Sequence, residues 1–170
     1  MAHVLYSADE GLRCPIAREE VEAAVDAVLA HEGVGRACEV SISVIGSDRI
    51  RELNSKWRGI DAPTDVLSFA CDDPGDPTVP EGEPVELGDI MLCPEVIVAQ
   101  APAFSGDAAS EFRLMLVHGM CHLLGYDHVD EEGALEMEAV ELDVLRDLAA
   151  ARGEDPGTVE IGPTTRHTDD

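Results

Sequence analysis

The chain has 170 residues, enough for one compact domain that buries a core without disulfide staples. Its 36 acidic residues against 11 basic ones give a formal net charge of −25, which taken alone argues against a nucleic-acid partner, because phosphates repel a negative surface. Five cysteines (14, 38, 71, 93 and 121) include no C-x-x-C pair, no signal-peptide pattern opens the chain, and no apolar run reaches the ~18 residues of a membrane span, so a reduced, soluble, cytoplasmic protein without a membrane partner is expected.

The segment HVLYSA alternates and suits a short strand. From Ile16 to His31, apolar residues recur at three- and four-residue steps (Val21, Val25, Val28, Leu29), between Pro15 and Gly33, and predict a helix. CEVSISVI, residues 38–45, alternates as a strand with one covered face. Ser47 can cap a helix running to about Trp57. That helix carries Arg49, Arg51, Lys56 and Arg58, which is either a solvated face or a local positive site on an acidic body.

A loop over 59–65 leads to a strand at 66–70, VLSFA. DDPGDPTVPEGEPVE, residues 72–86, is rich in Pro, Gly and acid and should be an exposed, mobile loop. ELGDIMLCP reads as a strand, followed by helices at 94–101 and about 108–124. A last helix from about Asp130 to Ala151 turns Leu135, Val140, Val144, Leu145 and Leu148 to the core. Residues 152–170 have little apolar content and are expected to be a disordered tail after a single domain over 1–151. The expected class is α/β (α+β): a small mixed sheet of about four strands packed by about five helices.

The densest chemistry lies in VHGMCHLLGYDHVD, residues 117–130. His118 and His122 are four apart, so on a helix they share one face and can reach one metal ion. Gly125 is the residue type that ends a helix, and the chain can then turn back to deliver His128. Three imidazoles leave a fourth position open, as in catalytic zinc sites; nickel, copper and iron also accept imidazole. Isolated histidines on helices are more often hydrogen-bonded core groups, but three at this spacing beside a stop glycine point to a metal. Cys121 could be a fourth ligand, although a cysteine in an apolar helix usually packs as a small hydrophobe. Asp127 is either a turn residue, an orienting partner of a ligand, or a base. His3, His31 and His167 receive no role.

The spacing matches the H-E-x-x-H-x-x-G-x-x-H frame of zinc metalloproteases, except that Gly119 stands where those enzymes carry their general-base glutamate. HGMCHLLGYDH instead resembles the H-G-x-L-H-L-x-G-Y-D-H signature of the YbeY endoribonucleases, the rRNA maturation factors. LNSKWRGIDAPTDVLSF (53–69) and ELGDIMLCPEV (86–96) are similar to that family's second and third blocks, in the same order. Cys121 replaces a usual leucine, and Trp57 fills the aromatic position before Arg58.

The resemblance implies a small α/β fold holding one zinc ion per chain at His118, His122 and His128. It also implies single-strand-specific, metal-dependent endoribonuclease activity, with Arg58 acting on the phosphate. The substrate would be rRNA rather than DNA, with maturation of the 16S 3′ end and ribosome quality control as the roles. The acidity exceeds what RNA handling suggests and implies a high-salt lineage or a protein partner at the ribosome, such as a small-subunit protein. A zinc-stabilised, non-catalytic ribosome assembly factor is the main alternative. A metalloprotease is disfavoured by Gly119.

Overall fold

A computed structural model of the chain describes residues 2–162. Four strands, β1 (Ala2–Ala8), β2 (Cys38–Val44), β3 (Val66–Ala70) and β4 (Val85–Leu92), form one sheet in the order β1-β2-β4-β3. β1, β2 and β4 run parallel, and β3 pairs antiparallel with β4 at the sheet's edge. Five α-helices complete the fold: α1 (Arg18–His31), α2 (Ser47–Arg58), α3 (Pro94–Gln100), α4 (Ala108–Leu123) and α5 (Glu131–Ala151). The expected mixed sheet packed by helices is therefore what the chain forms.

Strand alternation divides the helices between the two faces. Val40, Ile42, Val44, Val66, Ile90 and Leu92 point into the large core, where α1, α4 and α5 lay their apolar stripes. Leu67, Phe69 and Met91 point the other way and meet Ile50 and Leu53 of α2, with Ile45, Cys93 and Val96, in a smaller cluster. α2 thus sits on the face opposite α4, and β3 lies at the margin between them.

Several motif residues hold this frame rather than doing chemistry. Asn54 is fully buried, and its Nδ2 donates to the Ala62 carbonyl at 2.8 Å, tying down the loop after α2. Asp65, also buried, accepts from the Val66 amide at 2.7 Å and from Gln100 Nε2 at 2.8 Å. Gln100 Nε2 also reaches Glu111 Oε2 at 2.8 Å, so the start of β3 is locked to α3 and α4 through hydrogen-bonded buried carboxylates. Gly88 has φ +135°, and a Cβ there would lie 2.0 Å from the Phe69 carbonyl oxygen. Only glycine lets β3 close on β4 at this point.

Two expectations change. The acidic segment between β3 and β4 forms no helix or strand, but it is anchored: Arg36 donates to the carbonyls of Val79 and Pro80 at 3.3 and 3.0 Å. The disordered tail does not begin at 152. Asp155 accepts from the Gly157 amide at 2.9 Å and starts a 3-10 turn at Pro156–Thr158, after which Val159 and Ile161 pack on the large core. Two apolar residues at alternate positions suffice to dock a segment that composition reads as polar. Residues 163–170, with His167, lie outside the described residues.

Replacing Gly88 by alanine should cost about 3 kcal/mol, from a strained φ and a collision with backbone. Urea denaturation of Gly88→Ala beside the wild-type chain measures this; an unchanged midpoint would mean that β3 does not need the close approach.

Candidate metal centre and its cleft

α4 begins with Asp107 as N-cap, whose carboxylate accepts from the Ser110 amide at 2.8 Å, and it ends at Leu123. Gly125 then takes φ +98°; its amide donates to the His122 carbonyl at 3.1 Å and the Tyr126 amide to the Cys121 carbonyl at 3.0 Å. This is the paired C-terminal closure that a left-handed glycine permits, and it turns the chain so that His128 comes back beside the helix. The nitrogens of His118, His122 and His128 lie within 4.8 Å of one another. The cluster could hold a metal ion.

Hydrogen bonds fix which nitrogens face inward. His118 and Glu141 are each 1% exposed, and His118 Nδ1 lies 2.8 Å from Glu141 Oε2. His122 Nδ1 lies 2.9 Å from the Tyr126 carbonyl oxygen. A carbonyl only accepts, so His122 Nδ1 carries its proton and Nε2 is bare. The same assignment at His118, with its proton toward the carboxylate, leaves that Nε2 bare as well. The two Nε2 atoms stand 3.1 Å apart, and His128 Nε2 is buried with no hydrogen-bond partner. Facing lone pairs repel, whereas a tetrahedral cation at ~2.05 Å from each nitrogen needs a separation of about 3.3 Å. The donor set therefore fits a metal such as zinc. Burial and the neighbouring imidazoles hold the His122 pKa down at about 4, which keeps it neutral as a ligand must be.

The turn itself is latched. Tyr126 donates its hydroxyl to Glu32 Oε1 at 2.5 Å, so the residue whose carbonyl orients His122 is tied to the end of α1. Cys121 is fully buried in the large core, and burial raises its thiol well above the ordinary value; it packs as a hydrophobe and is not part of the histidine cluster. Asp127 is exposed, and its Oδ1 accepts from the Val129 amide at 3.3 Å, as a turn residue does. Capping of α5 falls to Asp130, which accepts from the Gly133 amide at 2.7 Å.

Gly119 has a packing role. A Cβ at this position would lie 3.0 Å from Cγ2 and 3.3 Å from Cδ1 of Ile90, which is fully buried on β4. The position faces the sheet, and a side chain there would press on that of Ile90, which would have to give way.

A cleft of about 470 Å³ opens beside His122. All of β3 lines it, together with Tyr126, Asp127 and Arg58. The C-terminal end of α2 thus borders the same cleft as His122. Of the four cations on that helix, Arg49 pairs with Asp9 and Arg51 with Asp61, while among the described residues no ion pair engages Arg58 or Lys56. A second hollow of about 420 Å³, across the 124–128 turn, is lined by Glu32, Asp130, Glu132 and Glu136; these would repel an anion, which leaves the β3 side as its approach.

The family model described as Endoribonuclease YbeY matches residues 9–149. The chain belongs to the YbeY family. It is 41% identical over 126 residues to the Endoribonuclease YbeY of Salinispora tropica, covering 71% of this chain and 80% of that one. It is 45% identical over 130 residues to that of Chloroflexus aurantiacus, covering 75% and 81%. The solution structure of TM1509 from Thermotoga maritima shares the fold at a TM-score of 0.59 and 22% identity, over 95% of this chain and 99% of that one.

In this YbeY chain, Glu141, Tyr126 and Glu32 surround the cluster, and sequence reading named none of them. Only Glu141 left a trace: a carboxylate in the apolar stripe of Met137, Val140, Val144 and Leu145.

Glu141→Gln should weaken metal binding roughly 10–100-fold, since the amide polarises the His118 ring less than a carboxylate does. Competition against a chelating indicator reads this, and unchanged affinity would leave Glu141 a merely structural neighbour. The metal-free protein should also lose stability as pH falls from ~6.5 toward 4. In that window an unfolded His122 takes up a proton and the folded one does not. Urea unfolding of the apoprotein against pH tests this, and the corresponding slope should shrink in His122→Gln.

Proposed function

We propose that this chain is a zinc-dependent endoribonuclease that cuts single-stranded RNA. It would work in the cytoplasm in rRNA maturation, with the 16S 3′ end as target, and in ribosome quality control. The observation that carries the reading is a cleft lined both by His122 of the three-imidazole cluster and by Arg58, which no ion pair engages among the described residues, in a chain of the YbeY family. A zinc ion held by His118, His122 and His128 would supply Lewis acidity at a phosphoryl oxygen and bring the pKa of a ligated water toward 7.

The protein's own groups supply the rest. Phosphodiester cleavage concentrates negative charge on the non-bridging oxygens, and the planar fork of Arg58 presents parallel N–H donors to two of them. Asp127, an exposed carboxylate that also lines the cleft, would take or return a proton. The cleft lies along β3, the edge strand of the sheet, which suits one extended strand. The five unpaired cysteines suit a reducing compartment. The acidic surface away from α2 suits a basic small-subunit ribosomal protein as partner.

One observation favours a peptidase: an antiparallel edge strand beside a metal is a wall on which an extended peptide can pair. Against it, Gly119 offers no carboxylate, and the space beyond it belongs to Ile90.

Arg58→Ala should keep its metal and lose about 10²–10³-fold in kcat on single-stranded RNA, the usual effect of removing one preorganised donor. His122→Ala should lose both metal and cleavage. The measurements are bound metal and cleavage of single-stranded RNA and of an unfolded protein, with and without chelator. RNA cleavage that survives chelation or persists in His122→Ala would overturn the assignment. Metal binding without cleavage would favour the assembly factor, and proteolysis the peptidase.

A further inference from the structure

The proposed reaction leaves unexplained a large exposed aromatic that sits beside Arg58 and against a residue lining the cleft. Trp57 is 61% exposed in the last turn of α2, immediately before Arg58. Its ring meets Phe69 edge-on, with centroids 6.1 Å apart and planes at 62°, and Phe69 lines the cleft. Lys56 Nζ lies 5.0 Å from the Trp57 ring centroid. An indole left this open gives up much of the burial that normally places tryptophan inside. Here it stands between the two cations of α2 that no ion pair engages among the described residues.

We propose that Trp57 is a base-stacking platform. It takes the nucleobase beside the phosphate bound by Arg58, and thereby makes the site selective for single-stranded RNA; this rests on the endoribonuclease reading above. Every base has a π-face, so such a platform binds without strong sequence preference. Bases in a duplex are already stacked on one another and cannot lie on the indole without being extruded, which costs a few kcal/mol. Phe69 buttresses the ring from the cleft side and limits its rotation. Lys56, on an exposed flexible stem, yields its place over the ring to the base and moves to a neighbouring phosphate. The remaining surface is strongly acidic, so the phosphate–base unit at Arg58 and Trp57 is the part of the strand that this face can hold.

Trp57 is the only tryptophan in the chain, so intrinsic fluorescence reports on it alone. The metal-loaded protein is mixed with a short single-stranded RNA in a stopped-flow instrument and read before turnover, with the same RNA annealed to its complement as control. Emission should be quenched by the single strand and not by the duplex. Trp57→Ala should raise KM on the single strand roughly 5- to 150-fold, the equivalent of ~1–3 kcal/mol for one stacked base, with kcat little changed. Trp57→Phe should recover most of the loss. Absence of quenching, or an unchanged KM in Trp57→Ala, would overturn the platform while leaving the ribonuclease standing. If the wild-type protein cleaves no RNA, the functional reading fails instead, and quenching without cleavage would show the platform serving binding alone.

Discussion

A carboxylate and an imidazole, each 1% exposed, face each other at 2.8 Å between α4 and α5. Neither tolerates such burial alone: an ionised group without its partner in an apolar interior costs several kcal/mol. Glu141 and His118 therefore fix how α5 lies across α4. The same bond turns His118 so that its other nitrogen looks toward His122 and His128. Packing and site are one constraint here, because the group that satisfies Glu141 is also the group that opens the cluster. α5 has no residue in the cleft, yet the orientation of the first imidazole rests on it.

The rotation of α4 about its own axis is set from the other side. Gly119 lets the helix settle against Ile90, with no side chain between them. Residues i and i+4 then carry both imidazoles on one face of the helix. In a metalloprotease frame the residue after the first histidine must reach the metal-bound substrate. In this fold that position is spent on contact with the sheet. A side chain at this position would crowd Ile90, and the chain places no carboxylate there.

Much of this was legible in the sequence, and what was not shares a physical cause. The periods that gave α1, α4 and α5 are local, and so is the H-x3-H-x5-H spacing with its stop glycine; each needs only one element and its end. That Arg58 borders the same cleft as His122 depends on α2 lying on the opposite face from α4, a matter of strand order. β3 pairs antiparallel because the segment joining it to β4 holds no crossover helix, as a parallel connection requires. Glu141 lies 23 residues from His118, and the partner of His122 is the backbone carbonyl of Tyr126, which no residue identity announces. The docked segment at Val159 and Ile161 was missed because composition averages over two residues that matter.

The acidity that first argued against RNA acquires a local meaning. At physiological ionic strength a charge is felt over about 8 Å, so the net charge of −25 is not what a phosphate in the cleft experiences. What it experiences is the end of α2. There Asp9 and Asp61 neutralise Arg49 and Arg51 further up the helix, leaving Lys56 and Arg58 in its last turn. Those two cations also sit where the partial negative charge of the helix C-terminus favours them, so they need no acidic neighbour to be stable in place. The hollow across the turn, lined by carboxylates, adds the opposite sign a short distance away. An anion near this turn thus meets carboxylates on the side of the hollow and Arg58 on the side of β3.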